Sequence, residues 1–296
     1  MDKAHTRLNL IAGAASVAVA LVLVVAKLWA LAATGALSVA ASLADSAMDL
    51  MVSLGGLAAM TYAARPPDED HAFGHSSAED LAALGQAIFI TVSAVVIGWA
   101  AAGRLVADQP EALAAQAGGI AVMVLSIVLT IALVLWQRHV AARTGNRVVA
   151  ADSLHYIGDL LPNIGAIVAL WASSRFGLGQ IDSVVALAAA ALMIAGALRI
   201  GKGAWDALMD RRADPALVAA IAELARDWPG VMGFHDLKTR TAGSRVFVNL
   251  HLELDGSQSL REAHDIGAGL RRRIIETWPQ CDVIIHKDVW YGPARS

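Results

Sequence analysis

The stretch Ser42-Leu43-Ala44-Asp45-Ser46-Ala47-Met48-Asp49-Leu50-Met51-Val52-Ser53 puts two aspartates inside an apolar run that extends over residues 36–63. That run is long enough for a membrane-spanning helix, which needs about 20 mostly apolar residues. A carboxylate in such a helix is costly, and ionisable groups inside spans usually face a bundle interior where they mark an ion pathway. Asp45 and Asp49 are spaced i, i+4, so a helix stacks them on one face.

The rest of the chain agrees with a membrane setting. Of its 296 residues 57% are hydrophobic and only 17% charged, where a soluble domain carries about a quarter charged residues. Five more stretches qualify as spans, residues 8–32, 80–106, 112–141, 148–174 and 181–204. The first is too long for a signal-peptide core and reads as a retained span. Lys27 near its outer end reads as a snorkelling side chain. Six spans put both termini on one side. Lys3, Arg7, Arg65, Arg138, Arg143, Arg147, Arg199, Lys202, Arg211 and Arg212 all fall on that side, against Arg104 and Arg175 opposite, so the termini are expected to be cytoplasmic in a multi-pass inner-membrane protein.

A texture change near residue 209 divides the chain into a six-span transmembrane domain, 1–208, and a soluble cytoplasmic domain, 209–296. In the second part Asp214-Pro215 opens an amphipathic helix to about Trp228, and Pro229-Gly230 stops it. Arg245–Leu254 alternates as a strand, a helix covers 260–277, and a short strand follows at Val283–His286. The expected fold class is a membrane all-α six-helix bundle plus a small cytoplasmic α+β domain in the order αββαβ, metallochaperone-like.

The fifth span repeats the pattern of the second, with His155 and Asp159 again at i, i+4. With about 1.5 Å rise per residue, the two pairs meet near the middle of a core about 30 Å thick. Three carboxylates and one imidazole make a plausible tetrahedral set for Zn²⁺. One nitrogen among four ligands favours Zn²⁺-like ions, Cd²⁺ with them and Fe²⁺, Co²⁺ or Ni²⁺ as further candidates, over Mn²⁺, which suits all-oxygen sites. The single cysteine, Cys281, excludes both an internal disulfide and paired-thiolate zinc sites. A net charge of −3 without a dense basic run excludes a nucleic-acid partner.

With Asp45-x-x-x-Asp49, His155-x-x-x-Asp159, Ser42-Leu43-Ala44-Asp45-Ser46, the loop Asp68-Glu69-Asp70-His71-Ala72-Phe73-Gly74-His75 and the run Val283-Ile284-Ile285-His286-Lys287-Asp288, nearly the whole sequence resembles the cation diffusion facilitator family, closest to its bacterial zinc and iron efflux members. The resemblance implies a homodimer with six spans per protomer and a transport site of Asp45, Asp49, His155 and Asp159. It also implies metal export in exchange for protons by alternating access. Asp68, His71 and His75 match a family metal site in the loop between spans two and three. His235, His251, His264, His286 and Asp288 match a cytoplasmic two-metal site in which Asp288 bridges the ions. One departure stands out: the start of span three reads Gly74-His75-Ser76-Ser77-Ala78-Glu79, with Ser where the family usually has a Lys that pairs with an Asp near the end of span six, and Asp206 and Asp210 are available here. Two other classes carry less weight. A membrane zinc hydrolase would need His-Glu-x-x-His, which is missing, and a membrane-anchored metal sensor without transport leaves the acidic residues of two spans without a role.

Overall fold

The computed structural model describes residues 3–34, 37–107, 117–160 and 181–292. The chain divides into two compact units, Ala4–Trp205 and, chiefly, Asp206–Ser296.

The first unit is helical. Its elements are α1 (Lys3–Thr34), α2 (Leu37–Ala63), α3 (Ser77–Ala107), α4 (Ala117–Thr144), α5 over residues 147–160, and α6 (Ile181–Leu208). Windows in α1, α3, α4 and α6 are long and apolar enough to cross a membrane. The second half of the expected fifth span, residues 161–174, lies outside the described residues.

Burial in this unit runs opposite to that of a soluble domain. Trp99 is 83% exposed and Trp29 73%, while Asn9, Ser16, Ser53, Gln137 and Asp152 are all buried. Large apolar side chains face outward because lipid is their solvent, and the contacts between helices fall to small and polar residues. On α1 the buried positions Asn9, Ala12, Ser16, Ala20 and Leu23 recur at helical spacing. The α5–α6 contact depends on glycine: a Cβ at Gly158 would run into Met193, and one at Gly196 would come within 2.8 Å of Leu154.

Ser77 begins α3 without a cation, but a different interlock stands one residue turn on. Asp80, fully buried, pairs with Arg147 at the start of α5. The two aspartates expected to have lost their partner have arginines nearby: Asp206 pairs with Arg211, and Asp210 with Arg240 at 3.2 Å.

The second unit contains α7 (Pro215–Arg226), β1 (Val231–Ala242), β2 (Arg245–Leu254), α8 (Leu260–Thr277) and β3 (Cys281–Val289). Asp214 caps α7 by accepting the Ala216 N–H at 2.8 Å, with Pro215 at the first helical position where its missing N–H costs nothing. α7 ends at Arg226 rather than near Trp228, because the residue before Pro229 is pushed out of helical geometry. α8 opens with a complete capping box, Ser259 to Glu262 and back.

β1 and β2 form an antiparallel hairpin, and β3 joins β2 in parallel through α8, giving the sheet order β1-β2-β3. β3 is longer than the expected Val283–His286, since it pairs with β2 along the whole of Val246–Leu254. Val246, Val248, Leu250, Leu252 and Leu254 of β2 bury against Val218, Ile221 and Ala225 of α7 and Leu270 and Ile274 of α8. One sheet face is therefore core, and the odd-numbered residues of β2 stand on the other. Leu270 is fully buried. Leu270→Ala is expected to lower the protection of β2 amides in hydrogen exchange by about 2–5 kcal/mol, the usual cost of emptying a core leucine site, with amides of α1–α6 unaffected.

Candidate metal centres

Three separate clusters of metal-ligating side chains occur among the described residues. The first lies inside the helical unit. His155 Nε2 of α5 is 3.1 Å from Asp49 Oδ1 of α2 and 3.9 Å from Asp159 Oδ2 one turn along its own helix. His155 is buried, and the Phe89 ring of α3 meets it edge-on at 5.8 Å between centroids. His155 Nε2 faces both carboxylates, so one nitrogen and two carboxylate oxygens from two helices converge on one point.

Asp45, expected as the fourth ligand, is exposed and does not belong to this group. It lies one helical turn from Asp49, a separation of about 5–6 Å, so the i, i+4 spacing sets the shared face without bringing both oxygens to one point. Nor does Lys27 snorkel away. Its Nζ donates to Ser46 Oγ at 2.6 Å, beside Asp45, and is close enough to interact with the charges of Asp49, Asp45 and Asp159. Sequence spacing hid this neighbour, because the contact depends on how α1 packs against α2.

The second cluster is the loop between α2 and α3. Asp68 Oδ1 accepts the His71 backbone N–H at 2.8 Å and lies 3.3 Å from His71 Nδ1, while Asp68 Oδ2 lies 3.1 Å from His75 Nε2. The backbone hydrogen bond from His71, chiefly, holds the Asp68 carboxyl below the usual carboxylate range. Gly74, at φ 83°, supplies the left-handed turn that brings His75 back over His71, with ring centroids 4.5 Å apart. Pro66, Pro67 and Gly74 thus make a convergent turn out of three potential ligands.

The third cluster comes from the sheet. The register sets His235 opposite His251 and His251 opposite His286, so three imidazoles form a row across three strands on the face away from the core. Asp288, two residues after His286 on the same face, reaches all three: His251 Nδ1 at 2.8 Å, His235 Nε2 at 3.2 Å and His286 Nε2 at 3.2 Å. A carboxylate with both oxygens facing imidazoles has the geometry of a bridging ligand. Just after His235 a bulge with Asp236 at φ 50° breaks the β1 register. Such bulges re-aim neighbouring side chains.

His264 stands apart from this cluster. It is exposed on α8, lining a groove with Arg271, Arg272 and Lys287. The reason is topological: α8 packs on the core face of the sheet, and the histidine row occupies the opposite face. Sequence reading also passed over Glu253, whose Oε1 is 4.0 Å from His235 Nε2. The signal was available, because Glu253 is i+2 from His251 on one strand, as Asp288 is from His286.

The hydrogen bond with His251, first among its causes, holds the Asp288 carboxyl below the usual range. A carboxyl depressed on folding stabilises the fold at every pH above its ordinary value, near 3.9, and that contribution disappears as pH falls through the lower folded value. His251→Ala is therefore expected to move the Asp288 titration upward toward the ordinary value. Carboxyl ¹³C chemical shifts recorded against pH on the metal-free protein check this.

Comparison with known proteins bears on both units. Residues 14–209 match the family model for a cation efflux transmembrane domain, and residues 213–289 match that for a cation efflux protein, cytoplasmic domain. The chain is 40% identical over 288 residues to the cation-efflux pump FieF of Pectobacterium carotovorum subsp. carotovorum (strain PC1), covering 97% of this chain and 95% of the relative. It is 41% identical, over the same shares, to the pump of that name from Pectobacterium atrosepticum. Among solved structures, a zinc form of CzrB is 30% identical over 29% of this chain and 99% of that one, with a TM-score of 0.27. Two family models that together span most of the sequence, and full-length relatives near 40% identity, show that the chain belongs to the cation efflux family, the cation diffusion facilitators, and is a membrane transporter rather than an enzyme.

Proposed function

We propose that this transporter exports a divalent transition metal, Zn²⁺ before others, in exchange for protons, by alternating access to a site formed by Asp45, Asp49, His155 and Asp159. The observation that carries the reading is the meeting of His155 with Asp49 and Asp159 across two helices of a lipid-facing bundle. Imidazole plus carboxylate suits Zn²⁺ and Cd²⁺, and Fe²⁺, Co²⁺ and Ni²⁺ are weaker candidates. An imidazole must be neutral to ligate a metal, so protons and cargo compete for His155, and this competition is the chemical basis for antiport. In a cycle of this kind Asp45 joins the other ligands when its side chain turns toward them. Lys27 then supplies positive charge near the carboxylates when no metal is there.

The domain boundary is placed at residues 208/209, with the second part cytoplasmic and both termini on that side of the inner membrane. His235, His251, His286 and Asp288 bind regulatory Zn²⁺ there, joined by His264 if a second copy brings it near. Asp68, His71 and His75 form a further site in the loop. The working unit is a homodimer. Purified in detergent, the protein is expected to have the mass of two chains after correction for detergent, and a monomeric mass at micromolar concentration contradicts this.

The metal assignment is tested in proteoliposomes with an encapsulated metal indicator. Uptake is expected to rank Zn²⁺ and Cd²⁺ above Fe²⁺, Co²⁺ and Ni²⁺, with Mn²⁺ last. A protein that carries Mn²⁺ as well as Zn²⁺ rules out the mixed-ligand selectivity.

A further inference from the structure

Next to the transport site, the helical bundle holds a carboxylate that metal binding does not use. Asp152 on α5 is 5% exposed, three residues before His155. Its Oδ2 accepts from Ser16 Oγ of α1 at 2.5 Å and from Gln137 Nε2 of α4 at 2.6 Å, and its Oδ1 faces Ser53 Oγ of α2 at 3.4 Å. Ser53 Oγ also lies 3.0 Å from Ser16 Oγ and 3.0 Å from the hydroxyl of Tyr156, another α5 residue. Ser16, Ser53, Gln137 and Tyr156 are each no more than 2% exposed. Four helices therefore converge on one buried carboxylate through neutral donors.

Sequence position gives the junction its significance. Ser53 is one turn after Asp49 on α2, and Asp152 is about one turn before His155 on α5. The contact between Ser53 and Asp152 is thus the next rung of the α2–α5 ladder whose neighbouring rung is Asp49 to His155, at 3.1 Å. Helix pairs in a membrane have no hydrophobic force to fix their register, so polar contacts and close packing set it. A slide of α2 past α5 would break both rungs together.

We infer that Asp152 is a positioning residue of the intramembrane metal site: through the Ser16–Ser53–Gln137–Tyr156 junction it holds α2 and α5 in the register that brings Asp49 to His155. This rests on reading Asp49, His155 and Asp159 as the metal site. Gln137 Oε1 is buried and has no hydrogen-bond partner among the described residues, which bears on the choice of variants. With asparagine at position 152, an NH₂ in the place of Oδ2 donates to Ser16 Oγ and, once the Gln137 amide turns over, to Gln137 Oε1, while the carbonyl in the place of Oδ1 accepts from Ser53. An alanine there leaves the junction empty.

The experiment measures Zn²⁺ affinity and proteoliposome transport in a protein whose other two clusters are disabled by Asp68→Ala, His75→Ala, His251→Ala and Asp288→Ala. Asp49→Ala in that background must abolish Zn²⁺ binding; if it does not, the site reading itself fails. With that control in place, Asp152→Ala is expected to raise the Zn²⁺ Kd and the transport KM by about 10- to 100-fold, the usual effect of removing a group that orients metal ligands. Asp152→Asn is expected to restore both to within about threefold of the parent, with the pH profile of transport unchanged. Unchanged Kd and KM in Asp152→Ala overturn the inference. So does an Asp152→Asn protein as impaired as Asp152→Ala with Zn²⁺ binding intact, since that makes Asp152 a proton-holding group and not a positioning one. If Asp152→Ala does not fold, Ser53→Ala and Gln137→Leu each remove one contact and are expected to raise Kd by about threefold to tenfold; no rise in either overturns the inference.

Discussion

Asp49→Ala is expected to reduce Zn²⁺ flux by at least about two orders of magnitude, since even the groups that only orient metal ligands are worth 10- to 100-fold in affinity. Among the described residues, Asp49 is the α2 carboxylate within reach of His155, at 3.1 Å. Without it the remaining close pair, His155 and Asp159, comes from a single helix and grips the ion from one side only. The α2 contribution would then fall to Asp45, which stands a turn away and exposed. Flux measured in proteoliposomes at matched protein content checks the expectation, with the unfolding temperature of the detergent-solubilised variant as a control for folding. A folded Asp49→Ala protein with flux within twofold of wild type contradicts the assignment.

The second large effect belongs to His155→Asp. In the wild type, Zn²⁺ affinity at the intramembrane site should fall steeply between about pH 7.5 and 5.5, because an imidazole must lose its proton to ligate and ordinarily titrates near 6.5. A carboxylate at this position makes the ligand set all oxygen. The variant should lose much of the pH dependence in that window and accept Mn²⁺ by at least about tenfold better relative to Zn²⁺. Binding measured by calorimetry at several pH values, with the loop and cytoplasmic clusters disabled, separates this site from the others. An unchanged pH profile removes His155 from the proton-exchanging role.

Much of this arrangement could be read from residue order. The i, i+4 spacing of His155 and Asp159 and the placing of Asp49 inside α2 pointed to the cluster these three side chains form, because helical period and lipid cost act locally on the sequence. The alternation of Val246, Val248, Leu250, Leu252 and Leu254 gave the core face of the sheet, and by exclusion the face that carries His251. What sequence left open depends on packing between elements. Asp45 shares a helix face with Asp49 but not its proximity to His155. Lys27 bonds to Ser46 because of how α1 meets α2, and Asp80 finds Arg147 across 67 positions of sequence. The junction around Asp152 joins residues 16, 53, 137 and 152, a grouping with no local periodicity behind it. His264 had the residue type and the family position of a ligand, yet the crossover through α8 sets it on the other side of the sheet.

The central claim is that one intramembrane site built on Asp49, His155 and Asp159 exchanges Zn²⁺ for protons. Its most direct test is simultaneous recording of Zn²⁺ and proton flux, with encapsulated metal and pH indicators, in proteoliposomes containing protein whose loop and cytoplasmic clusters have been removed. The proposed antiport predicts that both fluxes persist, in opposite directions and in a fixed ratio, and that Asp49→Ala in the same protein abolishes both. Zn²⁺ movement without a matching proton flux, or coupled flux that survives Asp49→Ala, would contradict it.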